Sequence, residues 1–180
     1  MSHDGNPPPS APRASGDAID VTLREEPRPA DGPRIREIVE STRFFHPYEV
    51  EIAQELIEER LKQGVKSGYF FVFADRGERT VGYSCYGPTP CTAWSYDIYW
   101  MAVDQLDRGG GLGHSLLALT EQRIHEMGGR RIYIETSSSE KYVPTRTFYE
   151  RTGYQVDAVL KDFYGPDDAK VIYVKVLPPL

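Results

Sequence analysis

Apolar and polar positions change period several times along the chain, and each change predicts an element. Over residues 18–26, AIDVTLREE alternates as a half-buried strand does, and PRIREIVESTRFF then sets Ile35, Ile38 and Val39 at helical spacing. After His46 and Pro47, YEVEIAQELIEERLKQG carries Val50, Ala53, Leu56, Ile57 and Leu61 on one stripe, with Gly64 as the stop. A second helix therefore follows the first across a short aromatic turn. GYFFVFADRGERTVGYSCYGPT reads as two β-rich runs about a turn near residues 75–78, and AWSYDIYWMAVDQ adds a third strand to the meander. GHSLLALTEQRIHEMGG returns to the helical period, with Leu116, Leu117, Leu119, Ile124 and Met127 on its apolar side and two glycines at its end. RRIYIETSS is a further strand, PTRTFYERTGY a short helix with an early proline, and QVDAVLKDFYG and KVIYVKVL a closing strand pair. The order β-α-α-β-β-β-α-β-α-β-β predicts an α+β fold: a mixed, mostly antiparallel central sheet flanked by helices.

Ahead of this pattern, residues 1–17 are rich in Pro, Ser, Ala and Gly and are expected to form a flexible tail, leaving residues 18–180 as one folded domain. A formal charge of −6 disfavours a broad hold on nucleic acid or on an anionic membrane, so any phosphate site has to be local. No apolar run approaches the ~20 residues that span a bilayer. The first residues have neither a secretory nor a transit pattern, so a cytoplasmic location is expected. Cys85 and Cys91 are too few for a disulfide framework and read as buried or half-buried thiols. Four scattered histidines without an HExxH motif or a cysteine pair predict no metal site.

One stretch resists a purely structural reading. In DRGGGLGHSLL, Gly109, Gly110, Gly111 and Gly113 crowd the start of an amphipathic helix, where each glycine costs roughly 1 kcal/mol against alanine in a helix interior. Strand, glycine turn and helix together make an anion site, because the helix start offers unpaired N–H groups and a partial positive charge. The spacing fits neither a dinucleotide fingerprint, since His114 or Leu116 stands where the third glycine belongs, nor a P-loop, which needs a Gly-Lys-Ser/Thr ending. It does fit Arg-x-x-Gly-x-Gly, through Arg108, Gly111 and Gly113.

Here the sequence resembles the GNAT N-acetyltransferases, whose Gln/Arg-x-x-Gly-x-Gly/Ala loop wraps the pyrophosphate of acetyl-coenzyme A. A second match lies downstream: YVPTRTFYERTGY resembles the family's closing helix through Phe148, Tyr149, Glu150, Arg151, Gly153 and Tyr154. It departs at Tyr142, where Asn is common, and at Thr145, where Ala is common.

The resemblance implies site residues. Met101, Ala102 and Val103 on the strand before the loop, then Arg108, Gly109, Gly110, Gly111, Leu112, Gly113 and His114, would hold acetyl-coenzyme A, the co-substrate. Tyr149 matches the family's proton donor to the leaving thiolate; a phenol with a pKa of ~10 is protonated at neutral pH. For the base, alternation sets Asp97 and Tyr99 on the strand face of Met101 and Val103. Asp97 then either takes a proton from the amine, orients its ammonium, or is simply a paired strand residue, and Glu135 is the reserve. Phe44 and Phe45 either line the acceptor pocket together with Tyr99 and Glu135 or anchor the core, while His46 reads as a solvated turn residue. The expected activity is N-acetylation of a primary amine of a small molecule or amino acid. Acetylation of a protein or peptide, and a non-catalytic coenzyme A-binding module, are the alternatives. A homodimer is compatible with this reading.

Overall fold

In the computed structural model, which describes residues 21–179, seven strands form one sheet and four helices cover it. The elements are β1 (Val21–Arg24), α1 (Asp31–Thr42), α2 (Pro47–Gln63), β2 (Phe70–Arg76), β3 (Arg79–Pro88), β4 (Ser95–Val103), α3 (Leu112–Glu126), β5 (Arg131–Ser137), α4 (Val143–Arg151), β6 (Gln155–Gly165) and β7 (Asp168–Val176). Their order matches the one predicted from the period changes. Residues 1–20, which hold the expected tail and the start of the first predicted strand, lie outside the described residues.

The sheet runs β1-β2-β3-β4-β5-β7-β6, and the β4–β5 pair is parallel while its other pairs are antiparallel. Helices α1 and α2 bury Ile35, Ile38, Val39, Val50, Ala53 and Ile57 against Phe71, Phe73, Tyr83 and Cys85 on one face. On the other, Leu112, Leu116, Leu117 and Ile124 of α3 and Tyr149 of α4 meet Val72, Val81, Ile132 and Ile134. Two layers of helix thus sandwich the sheet, as its two apolar faces require.

Several side chains depart from the predicted stripes. Leu61 is exposed, and Arg60 is buried instead, its guanidinium donating to the Tyr69 carbonyl at 3.0 Å and standing 5.2 Å from the centre of the Phe70 ring. Met127 falls just past the end of α3 and is exposed; Thr120 takes an inward position and shares a hydrogen bond of 2.6 Å with Ser84. Cys85 is buried, but Cys91 sits exposed in the β3–β4 connection.

Two backbone features shape the centre. β4 and β5 pair only over Ser95–Asp97 and Arg131–Tyr133, and beyond these residues the two strands part. β4 also carries a bulge: Cys85 pairs with Trp100 and Tyr86 with Ile98, so Tyr99 is extra. Tyr96 and Ile98 therefore face α3 together with Met101 and Val103, while Trp100 and Ala102 face α1 and α2.

Candidate active site

The parting strands open a cleft of about 790 Å³ between the two helix layers. Past Asp97, the edge of β4 that would pair with β5 is free, so its backbone groups are available to an extended ligand. Ile98 to Val103 line one side and Ile134 to Ser137 the other.

The glycine turn closes one part of the cleft. After β4, Asp104 accepts from the N–H of Leu106 at 3.0 Å and caps a short 3-10 turn over Gln105–Asp107. Arg108 is extended, and Gly109, Gly110 and Gly111 follow with φ of 98°, 62° and 81°. Three consecutive residues in the left-handed half of conformational space explain the glycine run, because side chains are strained there. Gly111 caps α3, so the first-turn N–H groups of Gly113 and His114 have no intrahelical acceptor and suit an anion. Gly113 differs: its φ is not left-handed, and a Cβ there would make only an ordinary contact, 3.6 Å from the Phe148 ring. The His114 ring meets Phe148 edge-on at 4.9 Å.

Of the residues singled out from the sequence, Met101, Ala102, Val103, Arg108, Gly109, Gly111, Leu112, Gly113 and His114 line the cleft, as do Phe44, Phe45, Tyr99, Glu135 and Tyr149. Gly110 belongs to the same turn without lining the cleft. Phe45 stacks at a tilt on Trp100, 4.8 Å between centroids, and packs on the core, so it serves as both wall and anchor. His46 caps α2, with its ring stacked on Tyr48 at 5.5 Å. Arg108 reaches across to Phe44, 5.4 Å from the ring centre, which ties the glycine turn to the aromatic turn between α1 and α2.

Tyr149 is buried on α4, and burial pushes its hydroxyl above the ordinary phenol value, so it stays protonated at neutral pH. Asp97 departs from the expected placement. The bulge at Tyr99 shifts the alternation, so Asp97 and Tyr99 lie on the face opposite Met101 and Val103, and Asp97 stands beside the cleft rather than in its lining. Its carboxyl accepts from the Thr89 hydroxyl at 2.6 Å. Burial raises its pKa, the charge of Glu135 adds to the rise, and the Thr89 bond opposes it. Glu135 does line the cleft and pairs with Lys170 at 2.5 Å.

Sequence reasoning missed part of the lining: Tyr48, Glu49, Thr136, Tyr142, Tyr164 and Asp168. Tyr142 alone had left a signal, as a departure from the family's closing helix. The others come from four separate elements that only the fold brings together.

The pattern that defines the Acetyltransferase (GNAT) domain matches residues 40–165. The chain belongs to the GNAT acetyltransferase family. A GNAT-family structure from Desulfovibrio desulfuricans is 46% identical to this GNAT chain, covers 87% of it and 99% of its own length, and superposes with a TM-score of 0.86. Two more distant structures share the fold. The aminoglycoside 6'-N-acetyltransferase from Enterococcus faecium is 21% identical, covers 88% of this chain and 98% of its own, and has a TM-score of 0.70. The ribosomal-protein-S18-alanine N-acetyltransferase from Escherichia coli is 16% identical, covers 89% and 96%, and has a TM-score of 0.70. No curated protein sequence matches the chain.

As a GNAT enzyme the protein is an acetyl-coenzyme A-dependent acyltransferase. The donor supplies an acetyl group activated as a thioester. The residues present fit it: the free N–H groups after Gly111 and the guanidinium of Arg108 suit a pyrophosphate, and the unpaired edge of β4 suits an extended chain bearing amides. Among the described residues no helix is long and apolar enough to cross a membrane, and no group of three or more His, Cys, Asp and Glu could hold a metal ion.

Proposed function

We propose that the protein transfers the acetyl group of acetyl-coenzyme A to a primary amine of a small molecule or amino acid, in the cytoplasm. The observation that carries this reading is the continuity of the cleft. One space runs from the glycine turn, past Tyr149, through the gap between β4 and β5, to the aromatic and acidic residues on the other face. Donor and acceptor can then approach from opposite faces of the sheet and meet at the gap.

In this reading the acceptor's ammonium first gives up a proton. Asp97 takes it through water, since its carboxylate lies beside the cleft and not in it, with Glu135 as the nearer alternative. The amine nitrogen attacks the thioester carbonyl, a C–N bond forms, the C–S bond breaks, and the nitrogen gives its second proton to water. The O–H of Tyr149 donates to the departing sulfur and is reprotonated from solvent, so one proton is released overall. The buried phenol keeps its proton near neutrality, so the donor is in the form the step requires, while burial also makes it the weaker acid.

Release of the free coenzyme A thiol, followed with a panel of amines, tests the proposal. Amine-dependent release above the hydrolytic background is expected. Tight acetyl-coenzyme A binding without release for any amine would make the protein a binding module instead.

A further inference from the structure

By strand alternation, Thr136 of β5 shares the sheet face of Ile132 and Ile134, toward α3 and α4, and Glu135 takes the other face. Thr136 is only 6% exposed, it lines the cleft, and its hydroxyl has no hydrogen-bond partner. The strand around it is fixed. Thr136 pairs with Val171 of β7, Arg146 of α4 donates to the carbonyls of Ser137 at 2.7 Å and Ser139 at 3.0 Å, and the Ser137 hydroxyl donates to Asp168 at 2.6 Å. The orphan hydroxyl therefore sits in a rigid frame.

Among the described residues, Tyr83, Glu121, Thr136 and Tyr154 bury a side-chain polar atom without a partner. Tyr83 lies in the core beneath α1 and α2, and Glu121 is within reach of the Tyr154 hydroxyl. Of these residues Thr136 is the one that lines the cleft. A buried hydroxyl left unmatched lowers the stability of the free protein and is uncommon in a finished interior, so its place in a ligand cleft points to a polar group that arrives with the ligand.

The position selects which ligand. The first turn of α3, after the glycine turn, and Tyr149 of α4 stand on the same side of the sheet as Thr136. Past Asp97 and Tyr133 the strands part, so the free edge of β4 borders this stretch of the cleft from one side and Thr136 borders it from the other. The lining on this face is otherwise largely apolar, with Ile98, Met101, Ile134 and Phe148. One hydroxyl in an apolar wall, facing a strand edge, suits a chain in which methylene groups alternate with amides.

We propose that Thr136 is a binding group for the donor, its hydroxyl forming a hydrogen bond with an amide of the extended arm that joins the pyrophosphate of acetyl-coenzyme A to the thioester. A hydroxyl both donates and accepts, so either the C=O or the N–H of that amide satisfies it. The assignment rests on the donor lying in this cleft and is independent of which amine receives the acetyl group.

Thr136→Val keeps the branched shape and exchanges the hydroxyl for a methyl group. In the full-length protein it is expected to raise the melting temperature without ligand, because an unmatched polar group has gone. In calorimetric titration it should weaken acetyl-coenzyme A and coenzyme A alike, by roughly 5- to 100-fold, the range for a hydrogen bond whose partner is left buried. A merely structural hydroxyl cannot produce these opposite signs. ADP, which carries a pyrophosphate without the arm, should bind wild type and variant equally. Thr136→Ser should keep most of the donor affinity, and Thr136→Ala, a second variant without the hydroxyl, should lose it as Thr136→Val does. Unchanged donor affinity in the folded variants, an equal loss for ADP, a lower melting temperature for free Thr136→Val, or weakening of acetyl-coenzyme A but not of coenzyme A overturns the proposal. Gly111→Val distinguishes its failure from that of the site itself: donor affinity lost there and kept in Thr136→Val strikes only the Thr136 contact, whereas affinity kept in both would remove the donor from this cleft.

Discussion

The Arg79 guanidinium donates to the Asp107 carboxylate at 3.0 Å, and this pair links the β2–β3 hairpin to the residue just before the glycine turn. Arg76 adds a bond to Asp107 at 2.6 Å, Arg79 also reaches Asp104 at 2.7 Å, and Arg34 holds Asp104 from α1. Both aspartates are buried, whereas Arg76 and Arg79 are about half exposed, so the network anchors the turn more than it anchors the hairpin. Without it, three glycines in a row would leave the turn free to sample many shapes.

Asp107→Asn should therefore weaken acetyl-coenzyme A binding by roughly tenfold, as the loss of a charge-assisted contact suggests, with kcat at saturation little altered. Calorimetric titration measures it. An unchanged dissociation constant in a folded variant would separate the network from donor binding.

Gly111 has φ of 81° and open space where a Cβ would go, so a substitution there is limited by backbone strain and not by collision. Gly111→Val forces a β-branched residue into the left-handed region, at a cost of about 1–3 kcal/mol. The turn is expected to relax to a different shape, losing donor affinity while the far-ultraviolet circular dichroism of the fold is retained. Retained affinity would mean that the turn does not contact the donor.

Tyr149→Phe removes only a hydroxyl. If that hydroxyl protonates the leaving sulfur, kcat falls by roughly 100-fold or more and the donor's dissociation constant stays the same. A wild-type kcat, with chemistry shown to limit the rate, would return Tyr149 to a packing role.

The fold was legible in the sequence because its signals are local. Glycine stops, early prolines and changes of period give every element from α1 to β7 in the correct order. The lining of the cleft was legible where one motif holds it together, as with Arg108 to His114 and Phe148 to Tyr149. Two kinds of feature were not. The bulge at Tyr99 is set by pairing with β3, and it moved Asp97 to the opposite face from the one alternation gives. Glu49, Tyr164 and Asp168 come from α2, β6 and β7 and converge only once the sheet closes. Arg60 in place of Leu61 shows a third limit: a long charged side chain can bury its stem and still satisfy its head.

Asp97 gives a prediction with two opposite signs. Its pKa is raised by burial above the ordinary carboxylate value of ~3.9, so ionising it costs folded-state stability as pH rises through the interval between that value and its folded value. Asp97→Asn should raise the melting temperature at neutral pH. As a base, the same carboxylate is needed ionised, so the variant should lose activity at neutral pH and recover part of it at higher pH, where free amine is present. Loss of stability together with a wild-type pH–rate profile would mark Asp97 as a structural strand residue.

Asp104 runs the other way. Burial works to raise its pKa, but the Leu106 N–H and the Arg34 guanidinium outweigh it and hold the carboxyl below its usual range. Its stabilising contribution is complete above the unfolded carboxylate pKa and is lost as pH falls through the folded value. Asp104→Asn should therefore flatten the acid limb of the melting-temperature profile below about pH 4. An acid limb identical to wild type would assign acid lability to other carboxylates, Asp75 with its Arg24 partner first.

The central claim is that acetyl leaves the thioester for an amine held in the cleft between β4 and β5. The most direct measurement incubates the protein with acetyl-coenzyme A carrying an isotopic label in its acetyl group, together with the amine that gives the fastest thiol release, and follows both products by mass spectrometry. One labelled N-acetyl group is expected on the amine for every coenzyme A thiol freed, at a rate that falls together with thiol release in Tyr149→Phe. Thiol release with the label recovered as free acetate, and none on the amine, would contradict the account.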